Sequence, residues 1–152
     1  MKKIIIIIAA IIITSCNASK NTANSDIKNT EVKQEKKNAE LIGGSWTLEV
    51  MLTKNIEEPS EGNKLTYLTI YPEKLQFSGN DGCNNLNGGI KKLDETNIIF
   101  SQMISTKMLC PDMKIADTFT KIMSQVVVYK ISDEKLFLYN KENIEILQFR
   151  KK

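Results

Sequence analysis

The chain has 152 residues, 41% hydrophobic and 26% charged, enough apolar material for one packed domain and too much for disorder throughout. Its formal charge of +3 arises within residues 1–40, because Leu41–Lys152 carries 14 basic and 14 acidic side chains; a nucleic-acid surface is therefore not expected. Histidine is absent, which excludes Ser-His-Asp and Cys-His catalysis and removes the commonest zinc or copper ligand.

Met1-Lys2-Lys3 is a positive start, followed by the unbroken apolar run Ile4–Ile13. As a helix that run would span roughly 15 Å, about half the hydrocarbon core of a bilayer, so it suits an export signal better than a membrane span. It leads into Ile13-Thr14-Ser15-Cys16. Small residues before a cysteine resemble the bacterial lipobox, with Ile13 at the aliphatic position usually held by leucine. That resemblance implies cleavage between Ser15 and Cys16 and acylation of Cys16. Several acyl chains hold a protein firmly, at about 0.8 kcal/mol per buried CH₂. The expected organisation is thus a signal peptide over 1–15, a lipid-anchored tether over 16–40, and one domain over 41–152. The tether is rich in Asn, Lys, Ser, Thr and Glu and would reach roughly 27 Å as a flexible coil. Asn17-Ala18-Ser19-Lys20 lacks both an inner-membrane retention aspartate and an acidic surface-export run. By resemblance, this favours the periplasmic side of the outer membrane.

From Trp46 the apolar pattern takes period two, the mark of half-buried strands. Trp46, Leu48, Val50 and Leu52 are expected on one face. Lys64–Tyr71 and Lys74–Ser78 flank the turn signal Pro72-Glu73, and Ile98–Met103 is another candidate strand. Pro111–Gln125 breaks the alternation: Ile115, Ala116, Phe119, Ile122 and Met123 have helical spacing, with Pro111 suited to the first turn. A closing meander follows through Val126–Ile131, Leu136–Tyr139 and Ile144–Phe149. These elements predict a mainly-β, α+β fold: seven or eight antiparallel strands curling into a small barrel with one helix.

With Cys16 acylated, Cys83 and Cys110 remain. An even pair in an exported domain points to a disulfide, although two thiols buried apart satisfy the same count. A metal site is disfavoured by the missing histidines, and no cofactor is expected. The run Ser78–Gly89 around Cys83 is dense in Gly, Asn and Asp and reads as successive tight turns. It lacks the alternating carboxylates of a calcium loop and the Gly-Lys-Ser/Thr of a phosphate loop.

Three motifs together resemble the META domain family of HslJ-like heat-shock lipoproteins. The opening Leu41-Ile42-Gly43-Gly44-Ser45-Trp46 resembles the family's Leu, Gly and Trp signature. Gly82-Cys83-Asn84-Asn85 with Gly88 resembles its Gly-Cys-Asn turn. Thr106-Lys107-Met108-Leu109-Cys110 resembles its Thr-x-Met-x-Cys element ahead of a helix. Ala116 departs from the acidic residue the family often places three positions before Phe119, and Ile90 departs from a usual aromatic. The resemblance implies a barrel-like fold and a non-catalytic envelope protein linked to stress or antibiotic tolerance.

Contact with the membrane through the anchor, an envelope protein partner and a monomeric state are expected. The alternative is a barrel that binds a small hydrophobic ligand or a peptide, with Tyr67, Tyr71, Tyr129 and Tyr139 lining its mouth. Asp81 and Asp112 are the carboxylates an enzyme would most readily use.

Overall fold

The computed structural model describes residues 41–152; the segments expected to be signal peptide and tether, with Ser15 and Cys16, lie outside the described residues. The strands are β1 (Gly44–Met51), β2 (Lys54–Asn55), β3 (Tyr67–Tyr71), β4 (Gln76–Asn80), β5 (Asn85–Leu93), β6 (Ile98–Ser105), β7 (Val128–Ser132), β8 (Lys135–Tyr139) and β9 (Glu145–Lys151). One helix, α1 (Lys114–Met123), connects β6 to β7. All pairings are antiparallel, in the order β6-β5-β4-β3-β1-β9-β8-β7, with the short β2 beside β1.

The sheet curls until its edges touch at one place. Asn97 bridges Val128, and the amides of Ile98 and Tyr129 donate to Val127 O (3.2 Å) and Thr96 O (2.8 Å). The fold is the expected mainly-β, barrel-like one, with a single α-helix of more than one turn among the described residues. Twist accumulating across eight strands brings the edges together, and the chord between them is the helical connection.

The interior is filled. Trp46, Phe77, Phe119 and Phe149 are almost fully buried among Leu68, Ile70, Leu86, Leu136 and Leu138. Phe77 meets Phe100 edge-on at 4.9 Å between ring centroids, and Phe119 meets Phe149 at 6.3 Å. Trp46 sends its indole N–H to Ile42 O at 2.7 Å, so the buried ring leaves no donor unpaired. From α1, Ala116, Phe119, Ile122 and Met123 enter the core, while Ile115 packs at its border.

Several elements differ from the sequence expectation. In β1 the alternation breaks at Glu49: Leu48 faces Phe149 but Val50 faces Gln148, the mark of a β-bulge. The extra residue shifts the phase, so Met51 is buried, Val50 is half-buried and Leu52 is exposed in a left-handed turn (φ 49°). The first strand of the next hairpin begins at Tyr67, not Lys64, and the second runs Gln76–Asn80. Pro111 precedes α1 by three residues and packs against the Gly62 turn.

The largest departure is β5. Asn85–Gly89 belongs to a strand paired on both sides, and only Asp81–Asn84 forms the turn. Asn and Gly are poor strand formers, so neighbours and not propensity hold this segment extended. Glycine is required there by close packing: a Cβ on Gly88 would stand 2.5 Å from the Phe77 ring. Ile90, at the family's aromatic position, is buried in the core.

Candidate functional site

The sequence motifs converge on one place, the β4–β5 turn and the segment leading into α1. Gly82 has φ +103°, a backbone state that side chains disfavour, and it lets the chain reverse between Asp81 and Asn84. Asn80 Oδ1 accepts the Gly82 amide at 2.9 Å. Asp81 Oδ1 accepts the amides of Cys83 (2.9 Å) and Asn84 (2.6 Å), closing an Asx-type turn in a buried setting.

Asn84 carries the turn to its neighbour. Its Oδ1 accepts the Met108 amide at 2.7 Å and the Thr106 hydroxyl at 3.3 Å, and its Nδ2 donates to Asp81 Oδ2 at 3.4 Å. Thr106 Oγ1 in turn accepts the Asn85 amide at 3.1 Å. Cys83 and Cys110 are joined in a disulfide with their Cα atoms 5.9 Å apart. Gly82 O accepts the Lys64 amide (2.8 Å) and Asn63 Nδ2 (3.2 Å). Asn63 Nδ2 also reaches Asp112 O at 2.7 Å. Turn, pre-helix segment and the 60–66 loop are therefore one clasp.

Within it, Gly82, Asn84 and Thr106 act directly. Met108 contributes its amide while its side chain is half-exposed, and Trp46 and Gly88 serve the core away from the clasp. Both carboxylates named as catalytic candidates accept backbone amides. Asp81 is buried on backbone amides, and Asp112 Oδ1 accepts the Lys114 amide (2.9 Å) where α1 begins. Among the described residues no group of three or more His, Cys, Asp or Glu side chains is placed to hold a metal.

The four tyrosines do not share a mouth. Tyr67 and Tyr71 lie on β3, in register with Asn80 and Gln76 of β4. Tyr129 is buried, its hydroxyl donating to Asp94 O at 2.8 Å; burial first, then the charges of Asp94 and Glu95, push its pKa up to about 12. Tyr139 sits under Lys130 Nζ, 5.2 Å from its ring centroid. Among the described residues, the centre of the curled sheet is occupied by buried side chains from the strands and the helix.

Sequence reasoning missed two features. The bulge turns Glu49 toward Gln148 Nε2 (3.1 Å), Lys135 Nζ (3.5 Å) and Arg150 Nε. Beside it a groove of about 460 Å³ runs between β1 and the 55–66 loop, with Leu48, Ile56, Leu65 and Ile115 in its lining. Asn63, the hub of the loop, gave no signal beyond one Asn in a polar stretch. Only the partners that the fold brings together reveal either residue.

Two carboxyls carry pH dependence. For Asp94, burial opposes ionisation, but hydrogen bonds from Lys92, the Asn97 side chain and the amides of Asn97 and Thr96 outweigh it, leaving the pKa well below the ordinary range. For Glu49, burial is likewise outweighed by Arg150, Gln148 and Lys135, and its pKa is lowered. The unfolded chain therefore binds these protons more readily than the folded one. The resulting stability is complete above the ordinary carboxylate pKa of about 4 and is lost as pH falls through the folded values. Thermal melts from about pH 6 down to about pH 3 should show Tm falling, and Asp94→Asn should flatten that fall; an unchanged slope would refute the assignment.

Comparison with known proteins agrees with this architecture. The NMR structure of a protein from Burkholderia xenovorans is similar, with a TM-score of 0.57 and 18% identity, covering 76% of this chain and 87% of that one. A second NMR structure matches with a TM-score of 0.58 and 17% identity, covering 74% of this chain and 93% of that one. At such identities the likeness is one of fold. No curated protein matches the sequence. The META domain model matches residues 39–152, which spans the sheet, the helix and every residue of the clasp, and the chain belongs to the META domain family.

Proposed function

We propose that the chain is a non-catalytic cell-envelope lipoprotein, anchored through acylated Cys16 on the periplasmic side of the outer membrane. Its domain supports envelope stress or antibiotic tolerance through binding or structural contacts with another envelope component. The observation that carries this reading is the N-terminal sequence: two lysines, a short apolar run and Ile-Thr-Ser-Cys, followed by a polar tether. The Cys83–Cys110 disulfide suits an oxidising compartment. The absence of histidine from the sequence and the inward engagement of Asp81 favour a scaffold over an enzyme. With the core filled by side chains, contacts of this domain fall on its outer surface.

The anchor is tested directly. Cys16→Ala should move the protein from the membrane fraction to the soluble one and abolish incorporation of labelled palmitate. If the variant remains bound to membranes, the anchor is not at Cys16.

A further inference from the structure

The outward residues of the sheet divide into two chemically different halves. On β7–β9 the strands carry Lys130, Lys135, Glu145, Arg150 and Lys151. Across the other half, Tyr67–Tyr71, Gln76–Asn80, Asn85–Gly89 and Phe100–Thr106 contain no Asp, Glu, Lys or Arg. β6 is an edge strand, and exposed edges are commonly guarded by charge. Here the edge strand carries no charge, and behind it, in β3–β5, the only charged strand residues are Lys91 and Lys92 at the far end of β5, beyond the Asn85–Gly89 stretch.

This neutral half holds a shallow hollow of about 470 Å³ lined by Tyr71, Gln76, Ser78, Asn87, Gln102 and Ile104. Register explains it. Thr69, Ser78, Asn87 and Ile104 form one cross-strand row, and Tyr71, Gln76 and Gly89 form the next. Gly89 has no side chain, so the second row dips between its neighbours. Tyr71 OH and Ser78 Oγ are 3.3 Å apart, which lays the phenol across the adjacent strand with 42% of the residue exposed. Lys74 Nζ stands at the rim, 5.9 Å from the ring centroid. The side-chain amides of Gln76, Asn87 and Gln102 make no hydrogen bond to the protein among the described residues.

We propose that this hollow binds an uncharged carbohydrate chain. A pyranose offers an apolar C–H face and a rim of hydroxyl groups. The tyrosine presents a ring for that face, Ile104 extends the apolar contact, and the free amides present donors and acceptors to the rim. Neutrality is the complementarity: the lining holds no formal charge that an uncharged sugar would have to strip of water without compensation. The inference rests on the domain surface and not on the lipid anchor, so failure of one does not imply failure of the other.

Saturation-transfer NMR on the full chain in detergent micelles tests it, with tetra-N-acetylchitotetraose and cellotetraose as probes. Saturation should reach the ring protons of the sugar. Signal from both probes assigns recognition to the pyranose face and hydroxyls; signal from the first alone assigns it to acetamido groups met by the amides. Tyr71→Ala and the pair Gln76→Ala with Asn87→Ala should each weaken the signal about tenfold, whereas Tyr139→Ala on the charged half should not. These side chains are superficial, and an unchanged melt confirms that each variant is folded. Absence of signal, an equal signal from Tyr71→Ala, or equal binding of polygalacturonate overturns the proposal. So does concentration-dependent self-association, abolished by Ile104→Lys, in a protein that ignores both sugars; that result would assign the face to a second copy.

Discussion

Replacing Cys83 and Cys110 together with alanine is expected to lower the stability of the domain by about 3.5 kcal/mol. The bond closes a loop of 27 residues in sequence separation, and the chain-entropy relation gives that figure for its effect on the unfolded state. The loop contains all of β5, its hairpin and β6. Freed of the crosslink, the unfolded chain gains the conformations that would separate the β4–β5 turn from the approach to α1. A melting temperature lower by roughly 10–20 °C is anticipated for a domain of this size. The same shift should follow when the wild-type protein is reduced. If the double variant melted within about 2 °C of wild type, the disulfide would contribute little to the fold.

Asn84→Ala is expected to cost a further comparable amount, about 2–4 kcal/mol. The side chain is buried, and its loss leaves the Met108 amide, the Thr106 hydroxyl and Asp81 Oδ2 without their partner. Each abandoned group carries a desolvation cost that a smaller side chain does not return. Asn84→Asp is a sharper probe, because its carboxylate still accepts from Met108 and Thr106 but cannot donate to Asp81, and it sets a second negative charge beside the first. Equilibrium unfolding in urea would give both losses. The effects should not add: Asn84 and the disulfide hold the same pre-helix segment, so the triple variant should lose less than the sum. Strict additivity would show that they act on separate regions.

The parts of this fold legible in the sequence are those whose signal is local. The C-terminal meander announces itself by alternation and by turn residues at Asp133 and Asn143, both of which adopt positive φ. The apolar stripe of α1 reads directly as helix. What escaped depends on partners remote in sequence. The Glu49 bulge exists only because β9 faces β1 out of step, and nothing around Glu49 alone encodes it. β5 was hidden because the residues that make a good turn, Asn and Gly, are here selected for another reason: the Phe77 ring fills the space a side chain at Gly88 would take. The clasp was half legible. Its cysteines and Gly-Cys-Asn motif stood out, while the reach of Asn84 to Met108, and of Asn63 to Gly82 and Asp112, required the folded chain.

The pairing of β1 with β9 has a consequence for when this domain can form. These strands lie side by side in the middle of the sheet, yet Trp46 and its partner Lys151 stand at opposite ends of the described chain. A polypeptide delivered from its N-terminus, whether from a ribosome or through a translocation pore, presents Gly44–Met51 long before Glu145–Lys151 arrives. Until then the first strand has an open side, and Phe149 is missing from beneath the helix. Contacts of such long range are slow to close. The domain must therefore be threaded nearly whole before its centre can zip, and any factor that shields a waiting strand has the interval of that passage in which to act.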